Sequence, residues 1–368
     1  MKNRETFTRI LLFALAVFVV CLIVVFIRDY RIGDEEKKVV VGAVLTGERA
    51  DKGWNESHYY GILSACTELG CTFVARERIP EEGQSLKNAV KELSDDGCSI
   101  IFLTSNGYGL YLNELSAAFP HIAFYSISGD ENSDNCTTYF ARMYQVRYLA
   151  GIVAGASSKT GILGFVAAMP VSEVNRAINA YCLGARRSDP DARVLVCFTG
   201  SWEDERAEKL AAEQLLSAGA DVITYHADKP YVIEKAEERG ALSTGYESVF
   251  QEYSERFLTA AVVNWDVLYV KVLGDFLSGR ANFSKKYWLG LQDGVVSLYP
   301  YSPLVDSETK ALVESDFWRI QTWRDVFSGE IYDNRGNLRC ESGESISDDE
   351  LFLGMEWYVD GVEIYGQK

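Results

Sequence analysis

Aromatic and acidic residues recur directly after the apolar runs of this chain. Asp51-Lys52-Gly53-Trp54-Asn55 follows the first such run. Trp202-Glu203-Asp204, His226-Ala227-Asp228-Lys229-Pro230 and Tyr246-Glu247 follow three runs in the second half, and Asn264-Trp265-Asp266 follows a later one. Indole and phenol faces stack on flat rings, and carboxylates accept hydrogen bonds from ring N–H groups or sugar hydroxyls. The combination suits a planar, hydroxyl- or NH-bearing ligand such as a purine. The candidate ligand residues are Asp51, Trp54, Asn55, Trp202, Asp228, Glu247 and Trp265. Each also has a structural role open to it. Trp54 can serve as lobe core, Asp51 and Asp204 as helix N-caps, and Asp228 as a cap ahead of Lys229-Pro230.

The elements that must position these turns alternate regularly. Apolar, β-branched runs at residues 38–45, 71–75, 99–103 and 122–126 read as strands, with helices expected at 57–69, 86–94 and 110–118. After a helix at 146–157 the pattern restarts. Strands are expected at 161–166, 193–198, 222–225 and 241–245, with helices at 173–183, 206–217 and 231–239. Continuous apolar strands separated by amphipathic helices imply parallel sheets covered on both faces. The expected fold class is therefore α/β, with two doubly wound Rossmann-like lobes joined by crossover strands. Such sheets bind ligands at the carboxyl ends of their strands. A helix at 265–277 suggests that the chain returns to the first lobe. Lobe 1 is expected over 39–142 plus 265–289 and lobe 2 over 143–264 plus 290–366. Asp333-Asn334-Arg335-Gly336 reads as a late hairpin turn.

Composition narrows the function. The chain has 368 residues, 36 Lys plus Arg, 53 Asp plus Glu, and a net charge of −17. Nucleic-acid binders normally show a basic face, so that class is disfavoured. The eight cysteines include no C-x-x-C pair, and the three histidines are scattered, so no metal or cofactor site is expected. Gly155-Ala156-Ser157-Ser158-Lys159-Thr160-Gly161 lacks the spacing and following helix of a phosphate loop and reads as a helix C-terminus. Gly107-Tyr108-Gly109 reads as a strand-to-helix turn. No G-x-S-x-G or H-E-x-x-H motif occurs, which tilts the reading toward binding rather than catalysis. Residues 10–27 contain no charge, Gly or Pro and would span about 27 Å as a helix. Lys2, Arg4 and Arg9 precede them, placing residues 1–9 in the cytoplasm and the rest outside. The expectation is an uncleaved N-terminal transmembrane helix and a tether over 28–38, with a lipoprotein at Cys21 or a cleaved signal as alternatives.

Several segments resemble the basic membrane protein (BMP) family of solute-binding proteins, which includes purine nucleoside receptors of ABC transporters. They are Asp51-Lys52-Gly53-Trp54-Asn55, Tyr139-Phe140-Ala141-Arg142-Met143-Tyr144-Gln145, Arg147-Tyr148-Leu149-Ala150-Gly151, Gly290-Leu291-Gln292-Asp293-Gly294 and Met355-Glu356-Trp357-Tyr358-Val359-Asp360-Gly361. The resemblance implies a type I periplasmic-binding-protein fold, a purine nucleoside or free base held between aromatic rings, and an ABC transporter permease as partner. By position, Trp54 and Asn55 match first-loop ligand residues, Trp202 a second-lobe aromatic, and Asp228 an acid. Glu247 stands where the family has an Asp suited to ribose hydroxyls. Ala227, Lys229, Val249, Ala260 and Val263 depart from the family pattern, and nucleoside and free base both stay open. The implied protein is a monomer at the cell membrane with an extracytoplasmic main domain. The rival readings are a membrane-tethered sensor or regulatory surface protein with a changed ligand, and a nucleoside hydrolase using Asp51 or Asp228.

Overall fold

A computed structural model of the chain describes residues 18–20, 38–129, 131–322 and 324–366. The expected transmembrane span, apart from residues 18–20, and the tether up to residue 37 lie outside the described residues. Among the described residues no helix is long and apolar enough to cross a membrane.

The first half runs β1 (Val40–Val44), α1 (Trp54–Leu69), β2 (Thr72–Arg76), α2 (Gly83–Asp95), β3 (Cys98–Leu103), α3 (Leu112–Ala118), β4 (Ala123–Ile127) and β5 (Cys136–Ala141). The second runs α4 (Met143–Ser157), β6 (Ile162–Ala167), α5 (Ser172–Ser188), β7 (Arg193–Phe198), α6 (Glu205–Ser217), β8 (Val222–His226), α7 (Tyr231–Arg239), β9 (Leu242–Glu247) and β10 (Phe257–Val263). Then come α8 (Trp265–Leu277), β11 (Tyr287–Leu289), β12 (Val296–Leu298), α9 (Ser307–Thr322), the antiparallel pair β13 (Ile331–Tyr332) and β14 (Leu338–Cys340), and β15 (Val362–Ile364).

Two sheets result. The first has the order β11-β5-β4-β3-β1-β2 and is parallel throughout. The second has the order β12-β10-β9-β8-β6-β7-β15, with β12 alone antiparallel. Strand alternation divides the first lobe's core. Val41, Ala43, Ile100 and Phe102 face Ile62 and Ala65 of α1, while Val44, Ile101 and Leu103 face Leu86 and Val90 of α2. Because α8 packs on α1 and β11 joins β5, the chain re-enters the first lobe after β10. The crossing segments pair with one another: Arg142 N–H donates to Leu289 O (2.7 Å) and Asn264 N–H to Val295 O (2.7 Å).

In the second lobe α4 and α5 cross at backbone contact. A Cβ at Gly184 would lie 1.9 Å from Tyr148 O, and one at Gly151 would lie 2.2 Å from Tyr181 O, so only glycine permits this approach. The Lys159-Thr160 segment is no anion cradle, because its backbone N–H groups donate to the Asp221 carboxylate (2.7 and 3.2 Å). All seven described cysteines are free thiols, including Cys66 and Cys71.

Candidate functional site

The strands of both sheets end at one interlobe cleft. A cavity of about 530 Å³ is lined by Thr46 after β1, Ser105 to Gly107 after β3, Ile127 and Ser128 at the end of β4, and Phe140 in β5. The second lobe contributes Met169 and Glu173 after β6, Trp202 after β7, His226 to Asp228 after β8, and Tyr246 of β9. This volume lies within the usual range of small-molecule sites, about 300–1,000 Å³. Trp54, Trp202 and Asp228 therefore face one space, with an indole supplied by each lobe.

Each wall is held from behind. Trp54 Nε1 donates to Thr104 O (2.8 Å), which fixes its ring. The Asp228 N–H donates to Trp202 O (2.9 Å), tying two second-lobe turns together. The fully buried Arg147 guanidinium lies 4.3 Å from the centre of the Tyr246 ring, and the Tyr246 hydroxyl meets His226 Nε2 at 2.7 Å. Burial holds His226 down at about 4, so the imidazole is neutral, with Glu173 at 3.6 Å. Asp228 carries no hydrogen bond on its carboxylate among the described residues. Burial, and then the charges of Asp51, Glu203 and Glu247, push it up to about 8.

A second, smaller cavity of about 200 Å³ adjoins the first. It contains Asp51, Lys52, Tyr231, Glu247 and Ser248, and it shares Trp54, Ala227, Asp228 and Tyr246 with its neighbour. The lobes touch at this partition. A Cβ on Gly53 would lie 2.0 Å from Asp228 O.

The remaining expected residues sit differently. Asp51 caps α1: its Oδ1 accepts from Gly53 N (3.0 Å) and Glu56 N (3.0 Å), and its Oδ2 from Asn55 N (3.2 Å) and Asn55 Nδ2 (2.8 Å). Asn55 is buried, lines neither cavity, and accepts Gly47 N–H (3.0 Å) to shape the β1–α1 loop. Trp265 also lines neither cavity, and its Nε1 donates to Glu247 Oε1 (2.5 Å). Sequence reasoning did not select Phe140, Ser128, Glu173, His226 or Tyr246 as site residues. Ser128, His226 and Tyr246 lie at or beside a strand's carboxyl end, the signal that could have found them, whereas Phe140 in β5 and Glu173 in the first turn of α5 carry none. Among the described residues no group of His, Cys, Asp and Glu is placed to hold a metal ion.

The sequence profile described as "ABC transporter substrate-binding protein PnrA-like" (Bmp) matches residues 38–320. The chain belongs to this family. A purine-binding protein of Brucella abortus is 33% identical over 334 residues, covering 89% of this chain and 94% of that protein. A putative ABC transporter glucose-binding protein of Haloferax volcanii is 31% identical, covering 90% and 82%. Among solved structures, a transcriptional activator of the comK gene from Bacillus halodurans superposes with a TM-score of 0.69 at 26% identity, over 77% of this chain and 98% of that one. The two-lobe α/β architecture with parallel sheets is that of periplasmic binding proteins.

The family's cleft is here rich in acids held above their ordinary range of about 4. Burial raises Glu247 to about 7 and Asp228 to about 8 at the cleft, and raises Glu208, on α6 and outside both cavities, to about 7. Such a group binds its proton more tightly in the folded state. Its stabilising contribution is complete below pH of about 4 and is lost as pH rises through 7 to 8. His58 and His226, buried and neutral, act oppositely as pH falls below their ordinary value of about 6.5. Thermal melts of the unliganded protein should therefore decline as pH rises from about 6.5, above which the histidines are neutral whether folded or unfolded, to 8.5. A melting temperature that climbs steadily across that range would contradict the assignment.

Proposed function

We propose that the protein is the extracytoplasmic solute-binding component of an ABC importer and holds a purine, as base or nucleoside, between its lobes. One observation carries the reading: Trp54 of the first lobe and Trp202 and Asp228 of the second line a single cavity. A flat ring entering it meets an indole from each lobe, and its N–H edge meets an acid with open lone pairs. The Brucella relative named for purine binding supports this ligand class. Ligand favours the closed state because only there do both lobes contact it. Micromolar affinity corresponds to about 8 kcal/mol, within reach of stacking and a few charge-assisted hydrogen bonds. No bond is made or broken. Asp51, considered for a hydrolase, already accepts four N–H groups. The apolar residues 10–27 would anchor the protein beside its permease.

A sensor or regulatory protein of the same fold with a changed ligand is the second reading. The likeness to a transcriptional activator favours the regulatory role, and the relative named as an ABC transporter glucose-binding protein favours a changed ligand. Calorimetry of the full chain against adenine, guanine, hypoxanthine, their ribosides and glucose separates the two. Heat with purines supports the importer ligand, and heat with glucose alone supports the second reading. Trp202 is 37% exposed and its indole nitrogen makes no hydrogen bond among the described residues. Trp202→Ala should therefore leave the fold intact. It removes a stacking face worth about 1–3 kcal/mol, and purine affinity should fall about tenfold or more. An unchanged affinity would remove Trp202 from the site.

A further inference from the structure

Behind the ligand cavity the C-terminal segment passes across the hinge, moored to the second lobe. Along α5, Ser172 Oγ donates to Leu353 O (2.7 Å), Asn175 Nδ2 to Met355 O (2.9 Å) and Arg176 Nη1 to Leu351 O. Asn179 fixes the next turn, its Nδ2 donating to Trp357 O and its Oδ1 accepting Val359 N–H (both 2.9 Å), and β15 then joins β7 in the second sheet. Where α5 goes, this segment follows.

Its other side meets the first lobe. Phe352, buried in a π-helical turn over Glu350–Gly354, sets its ring edge-on to Trp288 of β11 (centres 4.9 Å apart, planes at 82°) and to Phe140 of β5 (6.4 Å, 90°). Lys286 Nζ lies 4.6 Å from the centre of the Phe352 ring. Earlier in the segment, Asp348 takes two hydrogen bonds from Arg142, Nη1 donating to Oδ1 (2.8 Å) and Nη2 to Oδ2 (2.5 Å). Arg142 follows β5 and is set by Trp288, whose ring centre is 4.0 Å away and whose carbonyl accepts the Nε–H (3.1 Å). Edge-on rings and two-pronged ion pairs depend on angle as well as distance. Because they join β5 and β11 to a segment carried by α5, these contacts are complete only at the angle between lobes seen here. At that angle the lobes also touch in front of the hinge, where Gly53 abuts Asp228 O and Ser57 Oγ of α1 donates to Glu247 Oε2 of β9 (2.9 Å). Rotation about the crossing segments parts the front contacts and disturbs those behind with them.

We propose that residues 348–352 form a clasp that holds the lobes in the closed arrangement and sets the share of unliganded protein already closed. The device acts whatever the ligand, since a smaller closed share lowers every apparent affinity by one factor. Hydrogen exchange of the full chain without ligand reads it directly. Peptides spanning residues 51–57 and 226–231 report the contact between lobes, and peptides in β3 and β6 report folding. Asp348→Ala, at a mostly exposed side chain, and Phe352→Ala should each quicken exchange at the contact about fivefold or more and leave β3 and β6 at the parent rate. Asp348→Glu, which keeps a carboxylate for Arg142, should recover most of the protection. Exchange at the contact that stays at the parent rate in both alanine variants, or slows in either, overturns the clasp. If Phe352→Ala quickens β3 and β6 to the same extent, it reports unfolding, and Asp348→Ala alone decides.

Discussion

Replacing Gly53 with alanine is expected to weaken ligand binding by about two orders of magnitude while each lobe stays folded. Gly53 precedes α1 and lies against the Asp228 carbonyl, where an added Cβ would sit 2.0 Å from the oxygen. Its φ of −158° is not left-handed, so the close approach between lobes is what demands glycine here. Neither partner is a pliable side chain tip. One is the start of a sixteen-residue helix and the other the backbone after β8. Overpacking of this kind costs about 1–3 kcal/mol, and about 3 kcal/mol corresponds to about 150-fold in affinity. The cost falls on the closed state alone, since opened lobes separate the two atoms. The unliganded melting temperature should then drop less than the ligand-induced rise in melting temperature does. Calorimetry reads the affinity, and small-angle scattering with saturating ligand reads the closure. An affinity within threefold of the parent would show that the ligand closes the lobes without this contact.

The same contact illustrates what the sequence could and could not convey. Alternating apolar runs and amphipathic helices specify two parallel sheets, because each strand is hydrophobic on both faces. That pattern identified eight of the strands leading into the cleft or flanking it, from β1 to β9 with β5 excepted. Cys136–Ala141 was not assigned, although its Thr-Thr-Tyr-Phe run suits a strand, because it follows β4 with no intervening helix and so breaks the alternation. α5 runs to Ser188 rather than to 183, since Gly184 reads locally as a helix stop but serves here as the point where α4 meets α5. Site turns were visible because strand ends are where such sheets bind. Whether a given residue in a turn faces the cavity depended on partners far away in sequence. Asn55 is drawn inward by Asp51 and the Gly47 amide, and Trp265 is turned toward Glu247. Phe140 and Glu173 reach the cleft from within β5 and from the first turn of α5, and no local pattern marks them.

Binding is also expected to release a proton from Asp228. In the unliganded cleft its carboxyl is held up at about 8 and is mostly protonated at pH 7. A ring N–H bonds more strongly to the ionised carboxylate than to the carbonyl oxygen of the protonated carboxyl, and its approach lowers the carboxyl's proton affinity. The linkage then has a definite sign. Affinity rises with pH below 8, approaching tenfold per unit, and levels off above it. The expected gain between pH 6 and pH 8 is at most about fifty-fold. Two other groups bear on this window. His226, held at about 4, stays neutral throughout and contributes no slope. Glu247, at about 7, titrates within it, but behind the partition and among its own three donors. Asp228→Asn separates the two acids. If Asp228 is the linked group, the variant's affinity becomes nearly flat from pH 6 to pH 9 and its level lies below that of the parent at pH 8. Calorimetry in paired buffers of different ionisation enthalpy counts the released proton directly. An affinity that falls as pH rises would mean instead that the protonated carboxyl donates to a ring nitrogen, reversing the roles of ligand and acid at this edge.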